Sequence, residues 1–82
     1  MGAASAMRER TPEGAELHAA RMAVRLSAGA IWHYLMDGDP SIDVRPWRIL
    51  DWEFGEGELT ADELRRIWEL VSARTKPPRW AE

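Results

Sequence analysis

Val44-Arg45-Pro46-Trp47-Arg48-Ile49-Leu50-Asp51-Trp52-Glu53-Phe54-Gly55 is the stretch on which the fold class turns. Read with a period of two, Leu50, Trp52 and Phe54 alternate with Asp51 and Glu53, as in a half-buried strand. Read with a helical period, Trp47, Leu50 and Phe54 share one side, with Ile49 beside them and Gly55 as terminator. Pro46 fits the first turn of such a helix, where a missing N–H is no loss. A lone strand needs a partner, and Glu56 to Leu59 is too short and glycine-broken to be one. Helix is the favoured reading.

On the C-terminal side, Thr60-Ala61-Asp62-Glu63 is a capping box, with Leu59 and Leu64 placed for a hydrophobic staple. Leu64, Ile67, Trp68 and Val71 continue as an apolar stripe, and Pro77-Pro78 stops it. This predicts a helix of about 14 residues, about 21 Å long. On the N-terminal side, Thr11-Pro12-Glu13 reads as a cap, a first helical residue and an acid facing the dipole. Leu17, Ala20, Val24, Ala28, Ile31 and Leu35 succeed it at three- and four-residue spacings, and Asp37-Gly38-Asp39-Pro40 ends the run. One helix of about 25 residues and about 37 Å is predicted there. The expected fold class is all-α: a small three-helix domain with a long first helix, a short middle helix and a capped third. It is expected to occupy residues 11–76, between a disordered N-terminal segment 1–10 and a C-terminal tail 77–82.

A chain of 82 residues makes one domain with a marginal core. It has no cysteine, which excludes disulfides and thiolate metal sites. Only His18 and His33 could offer imidazole. An apolar fraction of 45% with 30% charged residues is ordinary globular material. No apolar run reaches the roughly 18 residues a membrane span needs, and the start lacks a secretory pattern. A cytoplasmic location is the default expectation, with no membrane partner.

Several constellations suggest chemistry and lack part of it. Asp37, Asp39, Ser41 and Asp43 alternate like the start of a calcium loop, but Ile42 and Arg48 stand where glycine and glutamate are required. A polar loop is expected instead, with Asp39 or Asp43 capping the next helix. His33 and Asp37 are i and i+4 and could form an acid–base pair, yet no nucleophile is tied to them. Gly55 and Gly57 form a lone Gly-x-Gly among acidic residues that would repel phosphate. No catalytic residue, metal ligand, cofactor or small-molecule ligand is therefore assigned.

Charge is segregated. Residues 37–63 carry nine acidic and two basic groups, whereas residues 64–82 carry five basic and two acidic. Complementarity within the molecule explains this, and so does an acidic surface for a basic partner built from Asp37, Asp39, Asp43, Asp51, Glu53, Glu56 and Glu58. Three helices also raise helix-turn-helix DNA binding, with Ala61 to Arg74 as reader. Its first turn carries Asp62 and Glu63, and the chain has a net charge of −3, the wrong footprint for nucleic acid.

Two further features point to protein surfaces. Later helices of about 16 and 21 Å cannot cover a 37 Å first helix side by side, which leaves its N-terminal half bare. Ala15, Ala19 and Ala23 lie four apart there, near Met22 and Leu26, and suit close approach of a second helix, including that of another copy. Five tryptophans are the other feature. Trp47 and Trp68 fall on apolar stripes and are assigned to the core, whereas Trp32, Trp52 and Trp80 are candidate partner anchors. The expected function is a small non-enzymatic interaction module, accessory, regulatory or inhibitory, acting on another protein or as a homodimer. The alternatives are a helix-turn-helix-like DNA-binding regulator and a small structural subunit of a larger assembly.

Overall fold

The computed structural model describes residues 8–75 and is all-α, with four helices and no strand among those residues. They are α1 (Pro12–Ala23), α2 (Ala28–Gly38), α3 (Pro46–Glu53) and α4 (Ala61–Thr75). Both α1 and α2 pack on α3 and on α4. The result is two layers of two helices. Between them lie Leu17, Leu26, Ala28, Ile31, Val44, Ile49, Ile67 and Val71, all buried. Trp52, Leu59, Trp68 and Leu70 close the edges of this core. No described helix is long and apolar enough to cross a membrane.

The single long first helix expected from the spacing is two helices. After α1, Leu26 N–H donates to Arg21 O at 2.8 Å and Arg25 N–H to Met22 O at 3.1 Å. These are the two bonds of a Schellman motif, which requires a left-handed residue between cap and exit. That residue is Arg25, with φ +56°. Ser27 then caps α2 by accepting from Ala30 N–H at 3.1 Å. The length mismatch that left half of one long helix bare disappears with the break. α3 ends by the same motif, Glu56 N–H to Asp51 O at 2.8 Å and Gly55 N–H to Trp52 O at 2.9 Å. There the left-handed residue is Gly55, φ +79°, the terminator expected from the sequence.

The other caps obey local chemistry. Thr11 Oγ1 accepts from Gly14 N–H at 2.9 Å and starts α1. At α4, Thr60 N–H donates to Glu63 Oε1 at 2.9 Å and Glu63 N–H to Thr60 Oγ1 at 3.0 Å, the reciprocal capping box. Arg48 of α3 grips the same carboxylate with two bonds of 2.9 Å, fixing the α4 start to α3. The Arg48 guanidinium holds the Glu63 carboxyl below the ordinary carboxylate range.

The middle segment is helical but rotated from the expected face. Trp47, assigned to the core, is 59% exposed, and Leu50 is 41% exposed. Ile49 and Glu53 point inward instead, both fully buried. A charged residue thus occupies a core-facing position, and the apolar stripe read from the sequence lies on the outer side. Glu53 is tied twice to α1: its carbonyl oxygen accepts from Thr11 N–H at 3.1 Å, and its carboxylate meets Arg21. The α1 backbone comes so close that a Cβ built on Gly14 would lie 1.9 Å from Glu53 O.

Two substitutions test this geometry. Gly14→Ala is expected to destabilise by about 2 kcal/mol or more, because the obstruction is backbone, whereas Gly29→Ala in α2 meets only the Ser27 Oγ at 3.9 Å, an ordinary contact, and should be neutral or stabilising. Arg25→Gly relieves a left-handed side-chain residue and should stabilise by about 0.5–1 kcal/mol. Urea unfolding of the three variants measures all of these.

Candidate functional site

The densest set of ionisable groups surrounds Glu53. Arg21 clasps its carboxylate with a fork, Nε to Oε2 at 2.6 Å and Nη2 to Oε1 at 3.1 Å. His18 Nδ1 lies 3.3 Å and Arg10 Nε 3.6 Å from Oε1. Arg21 Nη1 reaches Leu26 O at 3.4 Å, within the turn that ends α1. Removing a carboxylate from water costs several kcal/mol, and a bidentate arginine is the partner best shaped to offset that. Glu53 is fully buried, so no substrate can reach it. The cluster ties α1, the α1–α2 turn and α3 together. Glu53 was expected on an acidic surface, and its burial overturns that assignment.

Of the remaining acidic positions, Asp43, Asp51 and Glu56 are ion-paired within the molecule. Arg8 pairs with Glu56 at 2.6 Å and Asp51 at 3.5 Å, and its guanidinium also covers the Phe54 ring. Residues 8–10, expected within the disordered segment, are therefore placed by contacts with α3 and the turn after it. Asp39 accepts from the Ser41 hydroxyl at 2.7 Å and from Ser41 N–H at 3.0 Å, which hold its carboxyl below the usual range. Asp43 accepts from Trp32 Nε1 at 3.0 Å and pairs with Arg45. Neither Asp39 nor Asp43 caps α3, whose N-cap is Arg45 without a side-chain bond. Among the described residues, the carboxylates of Asp37 and Glu58 take part in no ion pair or hydrogen bond, although Glu58 O accepts from Arg48. His33 and Asp37 do not bond to each other, and the His33 ring lies 5.1 Å from that of Trp32. No group of three or more His, Asp or Glu among the described residues could hold a metal ion.

An aromatic and cationic surface lies where α3 begins. The Arg45 guanidinium lies 5.0 Å from the Trp32 ring centre and 5.8 Å from that of Trp47. Asp43 fixes both the Trp32 indole and Arg45, so the three side chains form one ordered surface where α3 begins beside α2. Leu50 lies three residues after Trp47 and extends the surface along α3. Of the anchors expected from the sequence, Trp32 belongs to this surface and is half-buried. Trp52 is half-buried against the core elsewhere on α3, and Trp80 lies outside the described residues. Trp47 and Arg45 were missed. A tryptophan one residue past a proline at a helix start, beside an arginine, was the available signal.

On α1, Ala15, Ala19, Met22 and Ala23 are exposed, with Met22 at 46%. Leu26, grouped with them from the sequence, is 3% exposed and belongs to the core. Compared with known proteins, the chain matches no family model, no curated protein and no solved structure.

Proposed function

We propose that this domain acts by binding another protein, and that Trp32, Arg45, Trp47 and Leu50 make the contact. The observation that carries the reading is Trp47, a tryptophan 59% exposed on a helix whose opposite face is locked into the core. Exposing so large an apolar side chain has no stabilising return in the isolated domain. Tryptophan and arginine dominate the binding energy of protein interfaces when a partner desolvates them. Asp43 already holds the Trp32 indole and Arg45 in place, which lowers the ordering cost of binding. On this reading no residue is catalytic, and the role is that of a small accessory, regulatory or inhibitory protein.

A homodimer is the second reading, favoured by the uncovered Ala15, Ala19, Met22 and Ala23 face of α1. The DNA-binding alternative is less well supported. Arg65 and Arg66 on the expected reading helix are engaged with Glu69 and Asp62 on that same helix. A polyanion would have to displace both carboxylates.

Affinity capture from the native host, with the immobilised full chain and a Trp47→Ser/Leu50→Ser variant, separates the readings. The variant should keep its helical circular dichroism and lose at most about 1 kcal/mol, since both sites are exposed. Wild type should retain a protein that the variant does not. An identical set on both, or none, contradicts the proposed surface. A dimer in light scattering that Ala19→Glu breaks and the variant leaves intact would favour the α1 face instead.

A further inference from the structure

We propose that a second feature, the cleft between α3 and the loop preceding α4, receives a cationic side chain, a lysine or arginine of a protein partner. This rests on the protein-binding reading only for the source of the cation. The cleft has a volume of about 370 Å³ and is lined by Trp52, Gly57, Glu58, Leu59 and Thr60. An aromatic wall, an aliphatic one and a carboxylate are the parts a cation on an alkyl stem requires.

The charges around the cleft decide the sign of the ligand. Asp51 and Glu56 share Arg8, whose single charge offsets one of the two, and Glu63 is paired by the Arg48 fork. Arg48 also donates to Glu58 O at 2.9 Å, and its charge is already paired with Glu63. The Thr60 hydroxyl is engaged in the α4 cap. The Glu58 side chain is exposed, and its carboxylate takes part in no ion pair or hydrogen bond among the described residues. It is the one lining carboxylate, and it has no counter-charge. An anion entering the cleft would meet Glu58 and find no cationic side chain among the lining residues. A cation would meet Glu58 and the exposed part of the Trp52 indole.

The test uses the full chain, labelled with nitrogen-15, and two probes: Nα-acetyl-lysine N-methylamide and its arginine counterpart. Nα-acetyl-norleucine N-methylamide is the neutral control. Saturable, weak shifts are expected at the Trp52 indole N–H and the Gly57 and Glu58 amides with either cationic probe. They should be absent with the norleucine compound. Glu58→Gln should weaken binding by about fivefold, the scale of one partly exposed ion pair. That variant touches no core or cap contact, so its fold serves as its own control. Equal shifts with the neutral probe, no saturable shift, or an unchanged affinity in Glu58→Gln overturns the proposal. No partner protein is present in this experiment, so its failure leaves the Trp47 surface standing, and a failed capture leaves the cleft standing.

Discussion

A buried carboxylate at the end of α3 sets the arrangement of this domain. Glu53 in the core without compensation would cost several kcal/mol, a large share of a small domain's margin of stability. Its compensation comes from Arg21, and through Arg21 from the turn at Leu26. Its carbonyl oxygen meanwhile accepts from Thr11 at the start of α1. One residue therefore fixes both ends of α1 against α3. The requirement at Gly14 has the same origin, since that backbone must lie against Glu53. So does the rotation of α3: with Glu53 and Ile49 turned inward, Trp47 and Leu50 must face out. The surface proposed to bind a partner is in this sense the reverse side of the buried ion pair.

The helical class and the cap chemistry were legible because they are local. Thr11, Gly55 and the Thr60–Glu63 box each act through bonds to residues within four positions of themselves. The break at Arg25 was not legible for a physical reason. The helix-ending motif is normally marked by glycine, and here an arginine takes the left-handed position at a cost of about 1–2 kcal/mol. The apolar spacing through Leu17, Val24, Ala28 and Ile31 also continues in phase across the break. Both helices face the same core, so periodicity alone joins them.

The site was less legible than the fold because charge and burial are inverted in α3. A hydrophobic pattern assumes that Glu53 is outside and Trp47 inside, and the structure has them the other way round. Nothing local in the sequence links Glu53 to Arg21, 32 positions away. The charge segregation was visible, and part of it is matched internally: Arg8 is shared by Asp51 and Glu56, Arg21 pairs with Glu53, and Arg48 with Glu63. A tryptophan–arginine surface and one free carboxylate in a cleft are left for a partner.

The central claim is that the Arg21–Glu53 pair couples α1 to α3. A double-mutant cycle on stability, with Arg21→Met and Glu53→Leu, tests it most directly. Each single variant leaves one buried charge without its partner and should cost about 3–5 kcal/mol, whereas the double variant should be more stable than either single. Single losses that simply add, or a Glu53→Leu variant as stable as the wild type, would contradict the account.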